Sequence, residues 1–129
     1  MAVRVTNDAR RQIGAGHPWV FESSITSITS ITSITSSGDG RCGDLAVVFD
    51  AERRFQGIGL YDPGSPIRVK MLHHGRPVPI TPTWWRRRVA DALDRRSALL
   101  ASTSTTGFRC VHGENDGLPG LVVDRYAAE

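Results

Sequence analysis

Alternation of apolar and polar residues dominates the first part of the chain. A period of two is typical of a strand that buries one face. It predicts strands at residues 2–6 and 67–72, the second with a partly basic face. Near-continuous apolar runs predict two more strands at residues 45–50 and 55–61, and we expect the first of these to be covered on both faces. Short strands at this spacing predict a small β-barrel.

Two segments instead have helical periodicity. Asn7 or Asp8 can cap a short helix that runs through Ile13. Thr83 can cap a longer helix from residue 84 to about residue 101, with apolar residues near one face. The arginines at residues 86–88 could contact phosphate, but this helix also carries i,i+4 pairs of opposite charge, which favour a solvated face. These pairs are Arg87–Asp91 and Asp91–Arg95.

Residues 16–21, GHPWVF, follow the first helix, and we expect Trp19, Val20 and Phe21 to form an apolar plug. Residues 24–36 then read SITSITSITSITS, in which four tandem Ile-Thr-Ser units follow Ser24. A period of three fits neither a strand nor an amphipathic helix, but Ile and Thr favour extended backbone. The tract is therefore predicted to be a strand edge or a long hairpin arm without a functional role.

Two glycines interrupt the run at residues 55–61. Gly57 and Gly59 predict a bulge or a close approach of a neighbouring backbone. Glycines also shape residues 108–126, FRCVHGENDGLPGLVVDRY, where Asp-Gly and Pro-Gly are turn dipeptides. That stretch predicts strands at residues 108–111 and 118–123, joined by a shaped polar loop.

Composition bounds the class of protein. The chain has 129 residues, of which 40% are hydrophobic and 22% charged, which indicates one globular domain or two small ones. No apolar run is long enough for a membrane span, and the N-terminus lacks the apolar segment of a secretory signal, so we expect a cytoplasmic protein. Cys42 and Cys110 have neither metal-site nor disulfide-framework spacing.

Motifs for catalysis are absent from the sequence. It has no phosphate-binding P-loop and no nucleophile elbow, and Gly-Ile-Gly at residues 57–59 is not followed by a helix. We therefore predict no catalytic, cofactor-binding or metal-binding residue. One alternative is a small metal-dependent enzyme that uses His112, Glu114 and Asp116, which lie two residues apart. Against it, carboxylates in a glycine-rich turn usually bond to backbone amides.

The basic residues give the stronger signal. The net charge is +3, and every basic residue except Lys70 is arginine, whose planar guanidinium suits phosphates and stacks on bases. Trp19 is available for stacking, although a core position is the favoured interpretation. The predicted RNA-binding residues are Arg10, Arg11, His17, Arg68 and Lys70.

Four segments taken in order resemble one protein family. They are GHPWVF, GDLAVVFD, GIGLYDPGSPIRVKML and FRCVHGENDGLPGLVVDRY, and together they cover nearly the whole chain except the Ile-Thr-Ser tract. They are similar to the N-terminal part of the bacterial large-subunit ribosomal RNA cytosine-5 methyltransferases, which use S-adenosylmethionine. The resemblance implies an α+β chain in two parts. A PUA-like β-pseudobarrel that binds RNA would span residues 1–72, and an incomplete small α/β domain (strand-helix-strand-strand) would span residues 73–129.

The resemblance also implies what the chain lacks. In the family, the catalytic cysteine and the loops that bind S-adenosylmethionine follow the position of Tyr126, so neither Cys42 nor Cys110 inherits the nucleophile role. We therefore expect a truncated, RNA-binding portion whose partner is large-subunit ribosomal RNA and which does not catalyse transfer alone. A third hypothesis is a docking module for the missing domain, with the incomplete sheet paired by another chain.

Overall fold

The computed structural model describes residues 1–29 and 40–126. The chain folds as two compact units, Met1–Pro77 and Val78–Glu129. No helix in the described part is long and apolar enough to cross a membrane. The Ile-Thr-Ser tract from residue 30 onward lies outside the described residues. The elements of the first unit are β1 (Ala2–Val5), α1 (Asn7–Gly14), β2 (Trp19–Phe21), β3 (Ile25–Thr29), β4 (Leu45–Phe49), β5 (Phe55–Tyr61) and β6 (Ile67–His74).

The six strands form one curled mixed sheet in the order β2-β6-β5-β4-β1-β3. All neighbouring strands are antiparallel except β1 and β4, which run parallel. This half-barrel confirms the predicted β-pseudobarrel. Strand β3 contains the first Ile-Thr-Ser residues and lies at the sheet edge, as predicted for the described part of the tract.

One face of the sheet packs against α1 and forms the core of the first unit. Its members are largely β-branched or small residues, which pack closely on a pleated surface. They are Val3, Val5, Ala9, Ile13, Val20, Ala46, Val48, Tyr61, Val69 and Met71. Burial of α1 follows from Ala9 and Ile13, which lie four residues apart on one helix face.

Three local expectations in this unit were wrong. The cap of α1 is Thr6, whose Oγ1 accepts from the Ala9 amide at 3.3 Å, and not Asn7 or Asp8. Strand β4 is buried on one face only, since Leu45 is 38% exposed while its neighbour Ala46 is fully buried. The plug at residues 19–21 does not form, because the backbone of β2 alternates and puts only Val20 into the core.

The prediction for the two glycines of β5 is confirmed. A Cβ on Gly57 would lie 2.4 Å from the carbonyl oxygen of His73, and one on Gly59 would lie 2.6 Å from that of Lys70. The register of β5 against β6 also shifts between Ile58 and Gly59. Glycine is therefore required here so that β6 can approach closely.

The second unit contains α2 (Pro82–Asp94), α3 (Ser97–Ala101), β7 (Gly107–His112) and β8 (Val122–Tyr126), with β7 and β8 paired antiparallel. The helix predicted from residue 84 to about residue 101 is thus interrupted after Asp94, and its cap is Thr81 rather than Thr83. Ala92, Val111 and Leu118 form the buried centre, with Trp85 and Val89 packed against it. The second strand starts later than residue 118, because Leu118 is buried in the loop that precedes it.

Candidate nucleic-acid interface

Strands β2 and β6 carry aromatic and basic side chains on the sheet face opposite the core. Val20 pairs with Val69, and both belong to the core cluster. The neighbouring pair, Trp19 and Lys70, therefore lies on the opposite face, since successive residues of a strand alternate. Pairing with β6 thus places an indole ring beside an ammonium group at the edge of the sheet.

His17 extends this arrangement. Its ring lies 6.1 Å from the Trp19 ring and 6.3 Å from the Phe21 ring, measured between centroids. The Nδ1 atom is 3.0 Å from the Trp19 carbonyl oxygen and 3.3 Å from the Trp19 amide. His74 Nε2 lies 3.3 Å from the His17 carbonyl oxygen, which ties this segment to the end of β6. We call His17, Trp19, Phe21, Arg68 and Lys70 the aromatic-basic strip.

Both cations of the strip are held by carboxylates. Arg68 Nη2 donates to Glu22 Oε1, and this hydrogen bond raises the pKa of the guanidinium. Lys70 Nζ lies 3.9 Å from Asp62 Oδ2, a looser contact. The Arg68 side chain is 19% exposed and the Lys70 side chain 31% exposed. An incoming phosphate would have to compete with Glu22 for Arg68, whereas Lys70 is more weakly engaged.

The other two predicted residues lie apart from the strip. Arg10 and Arg11 belong to α1, which packs on the core face, whereas the strip lies on the opposite face of the sheet. Arg11 Nη2 donates to Asp8 Oδ1 at 2.7 Å on the exposed side of the helix. Arg10 Nε is buried and has no hydrogen-bond partner among the described residues. The five predicted residues therefore form two groups, and His17 belongs with Arg68 and Lys70.

Sequence reasoning missed Phe21 as a member of the strip, and it considered Trp19 for stacking but favoured a core position for it. Their signal was present in the sequence: two aromatic residues flank Val20, and a strand at this position turns both away from the core. The three consecutive apolar residues Trp19, Val20 and Phe21 are compatible both with a buried plug and with a strand that alternates its faces, so the sequence alone did not distinguish the two.

The contacts of Asp116 do not support the metal hypothesis. This carboxylate is 5% exposed, and both oxygens accept hydrogen bonds from Arg96, while Oδ1 also accepts one from Arg95 at 2.8 Å. The amide of His112 donates to Oδ2 at 2.6 Å. In the described part of the chain, no three His, Cys, Asp or Glu residues are arranged to hold a metal ion. Asp116 instead joins the loop after β7 to the end of α2.

The two glycines of β5 do not form a nucleotide-binding loop. Gly57 and Gly59 lie in the middle of β5 and are pressed against β6, with His73 and Lys70 carbonyl oxygens at 2.4 and 2.6 Å from a Cβ built there. A loop that cradles phosphates or a nucleotide needs an open backbone before a helix. Cys110 is buried and Cys42 is exposed, and both are free thiols.

Comparisons with known proteins agree with this architecture. Residues 3–74 match the family model described as a PUA-like domain. A ribosomal RNA large subunit methyltransferase from Deinococcus radiodurans is 46% identical over 131 residues, covering 98% of this chain and 30% of the relative. Relatives named ribosomal RNA large subunit methyltransferase I are 38% identical in Alteromonas mediterranea, covering 85% of this chain and 26% of that protein, and 31% identical in Shewanella denitrificans, covering 98% and 31%.

Solved structures show the same fold at low sequence identity. A proposed SAM-dependent methyltransferase from Streptococcus mutans superposes with a TM-score of 0.77 at 13% identity, covering 98% of this chain and 31% of that chain. A proposed methyltransferase in complex with SAH gives the same score and identity, covering 98% and 30%. The chain thus spans about 30% of the length of its relatives and matches their N-terminal part. On the match over residues 3–74, the chain belongs to the PUA-like domain family.

Proposed function

We propose that this chain is the RNA-binding N-terminal portion of a cytoplasmic, S-adenosylmethionine-dependent large-subunit ribosomal RNA cytosine-5 methyltransferase. Residues outside this chain would bind the cofactor and catalyse transfer. The observation that carries the proposal is the aromatic-basic strip on a PUA-like sheet. It combines rings that can stack on bases with cations that can contact phosphates. The names of the relatives supply the class of RNA.

The two parts of the chain would have different roles. Residues 1–72 would bind RNA, whereas residues 73–129 would begin the central α/β domain. In the strip, Lys70 and Arg68 would contact phosphates and His17 would lie near a base or the backbone. Arg10 and Arg11 would make a separate contact from α1, on which the Arg11 side chain is exposed.

A salt titration of RNA binding tests the proposal. Filter binding with a structured fragment of large-subunit ribosomal RNA should give an affinity that falls as salt rises, because phosphate contacts release counterions. Lys70→Ala should weaken binding and lower the slope of log affinity against log salt by about 0.7–0.9. Arg10→Ala with Arg11→Ala should lower it further. The matched control is Arg41→Ala, which makes the same charge change at an exposed residue before β4.

A change at Glu22, whose carboxylate binds Arg68, should have the opposite effect on RNA affinity. Glu22→Gln frees the guanidinium and removes a negative charge from the strip, so it should tighten RNA binding. Affinity that is indifferent to salt would refute the proposal. So would affinities of the Lys70 and Arg10/Arg11 variants that equal those of wild type and of the Arg41 control.

A docking role for the second unit is supported by strand β8. Every residue of β8 is exposed, with Val122 at 53%, Val123 at 40% and Tyr126 at 77%. In the described part of the chain, β8 pairs only with β7, which leaves an apolar edge that another strand can extend. Sedimentation should show concentration-dependent association that Val122→Lys reduces. A monomer at all concentrations would contradict this role without affecting RNA binding.

A further inference from the structure

A groove lies at the β3 edge of the sheet in the first unit, away from the aromatic-basic strip at β2 and β6. It encloses about 320 Å³ and is lined by Ala2, Arg4, Ser27, Thr29, Phe49 and Arg53. Five of these residues come from three adjacent strands, β3, β1 and β4. The groove contains two guanidinium groups, two hydroxyl groups, one aromatic ring and no carboxylate.

Strand register explains why these side chains meet. Arg4 lies opposite Ser27 of β3 on one side and opposite Phe49 of β4 on the other, and Ala2 lies opposite Thr29. Val3 and Val5, which alternate with Ala2 and Arg4, are fully buried in the core. The groove therefore lies on the sheet face away from α1, with the small side chain of Ala2 leaving space beside Arg4.

Neither arginine of the groove is neutralised within the described part of the chain. The Arg4 and Arg53 guanidiniums are absent from its ion pairs, in contrast to Arg54, which binds Asp50 and Glu52 at 2.8 Å each. Because Arg54 holds Glu52, the nearest carboxylate in sequence is directed to another cation. Two uncompensated positive charges beside hydroxyls match a phosphate, which accepts hydrogen bonds from both groups.

The backbone presents Arg53 to the groove at a cost. Arg53 has a φ of 63°, and it is the non-glycine residue in the described part with a positive φ. This left-handed conformation costs a non-glycine residue roughly 1 kcal/mol. The turn is fixed by buried Asp50, which accepts from the Arg54 amide and side chain and from Gln56. The left-handed conformation belongs to the three-residue hairpin loop between β4 and β5, in which glycine is the usual residue at this position.

We propose that this groove binds one unpaired nucleotide of an RNA strand. Arg4 and Arg53 contact its phosphate, and Phe49 packs against its base. Phe49 is half-buried and supported edge-on by Phe55 at 6.4 Å between ring centroids, so the ring is fixed in place before binding. The groove is a contact separate from the aromatic-basic strip, although the proposal rests on the RNA-binding function proposed above.

The test compares single-stranded oligouridine with an RNA duplex of the same length, using the full chain. Arg53→Gly removes the guanidinium and also relieves the left-handed backbone, so it should leave the melting temperature equal or higher while weakening oligouridine binding about 3- to 10-fold. Phe49→Leu should weaken it at least about 5-fold, and Phe49→Tyr should restore it because the ring is kept. Arg41→Ala, at the opposite end of β4, is the charge-matched control.

The variants distinguish the groove proposal from the proposed RNA-binding function. If the Lys70 and Arg10/Arg11 variants lose affinity while Arg53→Gly and Phe49→Leu match the Arg41 control, the groove is refuted and the RNA-binding function stands. Equal sensitivity of the duplex to Phe49→Leu would refute the assignment of an unpaired base. A wild-type chain that binds neither of these RNAs nor the structured ribosomal RNA fragment overturns both proposals.

Discussion

Replacing Asp116 by asparagine should destabilise the second unit by about 2 kcal/mol at neutral pH. Burial by itself raises the pKa of this carboxyl, but hydrogen bonds from Arg96, Arg95 and the His112 amide outweigh it and lower the pKa from 3.8 to about 2. At about 1.4 kcal/mol per pKa unit, that difference corresponds to about 2 kcal/mol of stability. The neutral amide of the replacement would also leave donors of the two arginines unpaired near the protein interior.

The pH dependence gives the sharper result. Because the folded pKa lies below the ordinary value, the stabilisation is complete above about pH 5 and is lost as the pH falls towards about 2. Urea unfolding in a Trp19→Phe background reports on the second unit through Trp84 and Trp85 in α2. The difference in the free energy of unfolding between wild type and the Asp116→Asn variant should therefore be constant from pH 7 to about pH 5 and shrink below about pH 5.

The two arginines provide an internal comparison. Arg96 is 18% exposed and also donates to the Ala92 carbonyl oxygen, whereas Arg95 is 52% exposed. Arg96→Ala should therefore cost about 2 kcal/mol and Arg95→Ala less than about 1 kcal/mol. Asp91→Asn, an exposed change on the same helix, should stay within about 0.5 kcal/mol. A loss below about 0.5 kcal/mol for Asp116→Asn, or one unchanged between about pH 5 and pH 2.5, would refute the reasoning.

Two further changes test the local packing by urea unfolding. Gly59→Ala places a Cβ 2.6 Å from the Lys70 carbonyl oxygen and should lower the free energy of unfolding by at least about 2 kcal/mol. The control Gly64→Ala, whose Cβ has its nearest neighbour at 3.6 Å, should be nearly neutral. Equal losses for the two variants would contradict the close approach of β6. Thr81→Ala removes the cap of α2 and should lower the free energy of unfolding by about 1 kcal/mol, whereas Thr83→Ala should not lower it. A larger loss for Thr83→Ala than for Thr81→Ala would show that the helix starts later.

Local patterns predicted β1, β4, β5 and β6 with nearly their observed bounds, but neither β2 nor the end of the long helix. Strand β5 begins and ends where its apolar run does, because burial on a pleated sheet needs a contiguous run. The helix from residue 82 stops after Asp94 although Arg95 and Arg96 are good helix formers. Their side chains bind Asp116, which lies about twenty residues further along the chain. The predicted Asp91–Arg95 pair is replaced by this distant contact, which no helical periodicity can report.

Both candidate RNA contacts depend on strand pairings between distant residues. Lys70 meets Trp19 through an antiparallel pair, and Arg4 meets Phe49 through the parallel pair of β1 with β4. Charge and aromatic content therefore identified the chemistry of the surface, but the sheet order decided which residues share a site. The separation of Arg10 and Arg11 from Lys70 has the same origin, because the core lies between α1 and the outer face.

The position of β1 has a consequence for how the sheet is completed. This four-residue strand lies between β3 and β4 and bonds to both, although it precedes them in the chain. Strands β4, β5 and β6 are joined by short hairpins, so they can pair before β1 finds its place. A chain lacking residues 1–5 would have an open slot between β4 and the edge strand β3. A synthetic peptide with the sequence of β1 should fill that slot, so that the protein could be split and reassembled by strand complementation.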